Sequence, residues 1–235
     1  MLNLNFGEFM LRKILMEPAA IIKGRKRRLI IADLHLGILG IRQPEIVNKL
    51  TNLIEKFRIS EVIINGDLKH NIGMKSFERK IIKEFVGSLE RSGIARENVI
   101  LVKGNHDGSI DDLINVASPH GIRIKNFGIL HGHALPSDEV LQAKELIIAH
   151  AHPAIALKDE AGLVKKRIWL EGNIKINDEE KKLVVMPVFN DLCASTPVNV
   201  DKPAGFLFRR WNYLNAYATL LDGTFLGEIK LFTLD

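Results

Sequence analysis

Five places in this 235-residue chain lift imidazole, carboxylate and amide groups out of apolar runs. They are Asp33-x-His35 in "RLIIADLH" (28–35), Gly66-Asp67 in "EVIINGDLKH" (61–70) and Gly104-Asn105-His106-Asp107 in "NVILVKGNHD" (98–107). The last two are His131-Gly-His133 in "FGILHGHALP" (127–136) and His150-x-His152 in "ELIIAHAHP" (145–153). Nitrogen and oxygen donors without sulfur suit a first-row metal such as Mn, Fe, Co or Zn, whereas Mg and Ca prefer all-oxygen shells. The donors are too many for one tetrahedral ion and enough for two ions sharing a carboxylate. Two ions about 3.5–4 Å apart stabilise the attacking and leaving oxygens of a phosphoryl displacement. Two divalent ions against two aspartates leave a positive pocket that selects an anion, and a water held between them is acidified into a nucleophile.

The elements that must position these groups are legible around them. Each of the five segments opens with a β-branched or leucine-rich run that lacks polar alternation, the pattern of a strand buried on both faces. "PEIVNKLTNLIEKF" (44–57) has a first-turn proline and helically spaced apolar residues. "KSFERKIIKEFVGSLERSG" (75–93) repeats the spacing and stops at Gly93. Strand, helix, strand, helix, strand predicts right-handed crossovers and a parallel core. Were the five strands side by side, Asp33, His35, Asp67, Asn105, His106, His131, His150 and His152 would converge beyond their carboxyl ends, where open α/β sheets bind ligands. From residue 154 the texture turns strand-rich, with strands expected over 163–176, 181–189 and 223–234 and turns at 159–162, 177–182 and 221–224. The expected fold class is α/β, two packed mixed β-sheets flanked by helices. One domain is expected over 1–235, with the motifs within 28–153 and the strand-rich second sheet over 154–235.

Composition narrows the setting. Apolar residues make up 46% and charged residues 26%, ordinary for a globular chain. No apolar run approaches the roughly 18–20 residues of a membrane span, and charges interrupt the N-terminal apolar pieces, so the expected compartment is the cytoplasm. A single cysteine, Cys193, allows neither an internal disulfide nor a thiolate cage. The net charge of +5 and the clusters "KGRKRR" (23–28) and "KKR" (165–167) could meet phosphate backbones, although short basic runs are more often solvated faces. No Walker or dinucleotide fingerprint occurs.

In order, "DLH", "GD", "GNHD", "HG" and "HAH" resemble the calcineurin-like metallophosphoesterases, over residues 28–153. Within that superfamily the chain is similar to archaeal phosphoesterases related to the nuclease subunit of the double-strand-break repair complex. It is also similar to the bacterial phosphodiesterase encoded with a repair ligase and helicase. The resemblance implies one metal on Asp33, His35, Asp67 and His152, and a second on Asp67, Asn105, His131 and His150, with Asp67 bridging and Mn2+ the first choice of ion. It implies that His106 stays off the metals and protonates the departing oxygen, and that a metal-bridging hydroxide hydrolyses a phosphodiester. DNA or RNA would be the substrate, and repair proteins or a second copy of the chain the partners. The chain departs from the family at Ala149, where glycine is usual, and at His70, where many relatives carry an acid that orients the catalytic histidine. His70 is then free to face the substrate, and Asp107 becomes the other candidate to orient His106.

Other readings stand beside these. The same centre could serve a phosphomonoester or a cyclic or small nucleotide, and a monoesterase would need a cation for a dianionic phosphate, for which only Lys69 and Lys103 lie near the motifs. A non-catalytic scaffold is the third reading, set against the complete ligand set. His133 reads as a site wall or a turn residue, His120 as a surface histidine, and Asn190 and Asp191 in "FNDL" (189–192) as a polar turn.

Overall fold

The computed structural model describes residues 9–159, 162–205, 208 and 212–231. Its first half alternates strands and helices: β1 (Met10–Lys13), β2 (Ala20–Lys23), β3 (Arg27–Ile31), α1 (Pro44–Phe57), β4 (Glu61–Asn65), α2 (Ser76–Arg91), β5 (Val99–Val102) and β6 (Asn115–Ala117). The remainder is mostly strand: β7 (Ile122–Ile124), β8 (Phe127–Ile129), α3 (Asp138–Leu141), β9 (Glu145–Ile148), β10 (Pro153–Asp159), β11 (Gly162–Ile176) and β12 (Glu179–Val185). Three further strands follow: β13 (Thr196–Pro197), β14 (Asn212–Leu220) and β15 (Phe225–Glu228).

The six strands of the first sheet lie in chain order, antiparallel through β1–β3 and parallel from β3 to β6. The second sheet runs β13-β10-β11-β12-β9-β8-β7, with β14 against β11 and β15 against β14. The unalternating strands have their cause here. On β3, Leu29 and Ile31 pack under α1 and α2 with Leu50, Ile82 and Phe85. Ile30 points the other way, into the space between the sheets, where it meets Ile63, Phe127, Ile147 and Trp169. A third core lies on the outer face of the second sheet, under α3. Burying both faces requires apolar residues at every position, and period two disappears.

Both expected helices form, and the second ends in Ser92 and a left-handed Gly93, with the Ile94 amide bonded back to Leu89. Two expectations need correction. The five motif strands do not lie side by side: β3, β4 and β5 belong to the first sheet, β8 and β9 to the second, and their ends meet across the sandwich. The second sheet also begins before residue 154, since it already takes in β7, β8 and β9. The turn expected over 177–182 shrinks to Asn177 and Asp178, both left-handed, because Glu179 already pairs with Ile176. Residues 160–161, in the turn expected over 159–162, and 232–234, at the end of the last expected strand, lie outside the described residues.

Candidate metal centre

The carboxyl ends of β3, β4, β5, β8 and β9 open into loops that carry the motif residues. The Asp33–His35 and Gly66–Asp67 loops extend the pairing of β3 with β4: the amides of Asp33, His35 and Leu36 donate to the carbonyls of Gly66, Asp67 and Leu68 at 3.1, 2.9 and 2.8 Å. Asp107 ties the third loop on. Its carboxylate accepts the amides of Asp67 (2.8 Å), Leu68 (2.9 Å) and Gly104 (2.9 Å). Asp107 therefore does not orient the His106 ring, because its lone pairs are spent on backbone.

Two motif glycines are explained by close approach. A Cβ on Gly66, which is left-handed, would stand 2.1 Å from His131 Nδ1, and one on Gly104 would stand 2.2 Å from Asp67 Oδ1. Ala149 has no such conflict. It is not left-handed, it is buried, and its amide donates to the His131 carbonyl at 3.0 Å, so the departure from glycine leaves the turn intact.

Five of the seven candidate ligands, Asp33, His35, Asp67, His150 and His152, hold left-handed backbone, with φ between 43 and 67°. That conformation costs a non-glycine residue about 1–3 kcal/mol and persists only where surroundings impose it. The donors group into three triads whose ligand atoms lie within 4.8 Å of one another: Asp33, His35 and His152; His35, Asp67 and His106; Asp67, His131 and His150. Asn105 is exposed on the loop between Gly104 and His106. His70 and His133 stand at the margins. The His70 ring lies 5.5 Å from His35 and 6.0 Å from His106, and the His133 ring 5.3 Å from His131.

Backbone carbonyls fix the histidine tautomers. His131 Nδ1 meets the Asn65 carbonyl at 2.9 Å, His152 Nδ1 meets that of Ala194 at 2.9 Å, and His106 Nδ1 meets that of His70. A carbonyl only accepts, so each Nδ1 carries its proton and each Nε2 is turned to the site. The Nε2 atoms of His131 and His152 approach Asp67 Oδ2 and Asp33 Oδ1 at 3.2 and 3.3 Å. Even so, the buried Asp33 Oδ1, His35 Nδ1 and His131 Nε2 make no hydrogen bond of good geometry. Buried polar atoms left so are costly, and cations held among these groups would relieve that cost. The donor set and its orphaned atoms fit divalent ions.

Electrostatics agree. Burial opposes charge on His131, but Asp67 and Asp33 outweigh it and hold the imidazolium up to about 9. Burial is likewise outweighed at Asp67, chiefly by His131, and its carboxylate sits below the usual range. Burial pulls His35 down to about 4, and burial with the His131 charge does the same to His150. Burial thus favours neutral imidazoles at His35 and His150, whereas the neighbouring carboxylates favour a proton at His131 and raise His152 through Asp33.

Several supporting residues were not legible as such. Asn190 is buried, not a solvated turn. Its side chain donates to the Leu34 carbonyl (2.7 Å) and accepts from Gln43 (3.0 Å), which fixes the loop carrying Asp33 and His35 from below. Asp191 points outward to Arg167 at 2.6 Å. The Lys69 ammonium is buried and donates to the carbonyls of Asn71, Ile72 and His106. Lys103 pairs with Asp111 at 3.0 Å. His120 holds the Leu135 carbonyl in a loop.

A model of the calcineurin-like phosphoesterases matches residues 26–193. No curated protein sequence is significantly similar to the chain. Among solved structures, the nuclease MPE of Pseudomonas putida superposes with a TM-score of 0.59 at 17% identity, over 92% of this chain and 98% of that one. The phosphoesterase Yfce of E. coli gives 0.43 at 14% identity, over 87% and 99%. Vacuolar Protein Sorting 29 of Cryptosporidium parvum gives 0.40 at 18%, over 88% and 97%. The likeness to MPE is one of fold, two mixed sheets in a sandwich with few helices. With a family model spanning well over half of its length, the chain belongs to the calcineurin-like phosphoesterases.

Proposed function

We propose that the chain works as a single domain, a dinuclear-metal-dependent phosphodiesterase acting on nucleic acid in DNA repair. The observation that carries the reading is the convergence of ligand triads from both sheets, with Asp67 within reach of His35 on one side and of His131 and His150 on the other. Asp33, His35, Asp67 and His152 would hold one ion, and Asp67, Asn105, His131 and His150 the other, with Mn2+ first in line for this nitrogen and oxygen set. Bound there, such ions supply an acidified water and positive charge against the phosphoryl oxygens. His106 does the rest of the proton work. Its Nδ1–H is committed to the His70 carbonyl, so Nε2 faces the substrate, and from the imidazolium form it would hand its proton to the leaving oxygen, leaving the neutral Nδ1–H ring.

The preference for diesters rests on charge. A dianionic monoester asks for a committed cation. The two lysines within the motifs are both engaged, Lys69 with three carbonyls and Lys103 with Asp111. Repair as the setting follows from the resemblance of the motifs, and MPE is itself named a nuclease. The cytoplasm is the proposed compartment, and no described helix is long and apolar enough to cross a membrane.

The test is turnover of bis(p-nitrophenyl) phosphate beside p-nitrophenyl phosphate by the Mn-loaded protein. Faster turnover of the diester is expected. A monoester preference overturns the reading and turns the search to small phosphorylated metabolites.

A further inference from the structure

We propose that the β10–β11 hairpin is a guiding arm for the backbone of single-stranded nucleic acid, an inference that rests on the phosphodiesterase reading. The register of the second sheet sets its position. Leu170 of β11 pairs with Val185 of β12, and Val185 with Ile148, the last residue of β9 and two before His150. Everything in β11 ahead of Leu170 therefore overshoots the strand ends on the side of the ligand loops. At roughly 3.3 Å per residue, Lys165 stands about 17 Å and Leu163 about 23 Å beyond that level.

The pleat decides what the arm presents. Trp169 points into the core between the sheets, whereas Ile168 and Leu170 point into the outer core. Period two carries Arg167, Lys165 and Leu163 onto the side of Trp169. On β10 the residues opposite these are Ala154, Ala156 and Lys158, and directly opposed residues share a face. Arg167 shows where that face looks: it donates to the Val188 carbonyl (3.0 Å) and pairs with Asp191. Both belong to the stretch that holds His152 through Ala194 and the Asp33 loop through Asn190. Beyond Arg167, which is engaged with Asp191, the face carries Lys165 and Lys158, cations leading away from the site on either side of the buried Ala156.

Lys158 and Lys165 are exposed and make no ion pair among the described residues. Lys165 sits diagonally across the hairpin from Lys158, within reach of one extended backbone laid along this face. Leu163, 61% exposed on the same face, offers an apolar contact to an unpaired base, which a duplex would keep stacked. The other basic cluster is poorly placed for this work. The 23–28 hairpin lies at the amino end of β3, where Arg28 and Lys26 pair with Glu61 and Arg27 bonds the Phe57 carbonyl.

The experiment is binding of a fluorescein-labelled single-stranded oligonucleotide, read by anisotropy in chelator so that neither metal nor turnover contributes. K158Q/K165Q is expected to weaken binding on the order of tenfold and to lower the salt slope by about 1.4, the share of two phosphate contacts on a single strand. K158R/K165R should restore both, which separates charge from folding. R25Q/K26Q at the opposite end should bind nearly as the parent does. Parental affinity in K158Q/K165Q, or an equal loss in R25Q/K26Q, overturns the arm. Arm-dependent binding without turnover of any diester would defeat the phosphodiesterase reading and leave the arm standing, and diester turnover without arm-dependent binding would do the reverse.

Discussion

The two ends of the first sheet are built from the same strands and treat polar groups in opposite ways. At the amino end the charges are mostly paired: Glu61 takes both Lys26 and Arg28, and Arg27 finds a carbonyl, though Arg28 Nη1 is left without a hydrogen bond. At the carboxyl end many polar groups are buried and unsettled. Five residues sit in left-handed backbone, two aspartates lie buried among histidines, and several donor atoms have no hydrogen bond. A chain folding for stability alone would treat both ends as it treats the amino end. The contrast teaches that the carboxyl end carries a burden which divalent ions held there would relieve.

That contrast can be broken. His106→Ala should lower diester turnover by about a hundred- to ten-thousandfold. Metal analysis should find both ions still bound, and loss of ions with turnover would make His106 a ligand. Asn190→Ala should weaken metal affinity by about ten- to a hundredfold, seen by isothermal titration, since it supports a ligand loop without touching the ions. An unchanged affinity would mean that the loop holds itself. Mn2+ at about 100 times its dissociation constant should stabilise the protein by about 2.7 kcal/mol for each site it fills, or about 5–11 °C in Tm per site. A scan with no shift would show that the carboxyl end needs no cation. Glu61→Gln should cost about 1–2 kcal/mol by urea midpoint, with turnover and the Mn2+ shift both kept. Lost turnover there would tie together two ends that the structure keeps apart.

Much of this was legible in the sequence, for reasons that can be named. The motif strands announced themselves because both of their faces are buried, which removes alternation and leaves an apolar run ending in polar groups. Their division between two sheets was not legible, because an apolar run carries no address for its partner. Asn190 after a strand looks like any polar turn, and it becomes a support only when Leu34, 156 residues away, arrives above it. Lys69 reads as a cation available to a phosphate until the fold brings three carbonyls around it. The position of His70 raised the right question, what orients His106, but the answer is a main-chain atom and leaves no trace in residue type.

That last feature bears on how such a site can change over generations. A side chain that orients a histidine can be lost by one nucleotide change, whereas a peptide carbonyl is present whatever residue is encoded. Asn65, His70 and Ala194 could each be replaced without deleting the acceptor that sets a tautomer; only a shift of the chain would remove it. The side chain at position 70 is thereby free of the orienting duty, and is open to selection for whatever lies in front of it.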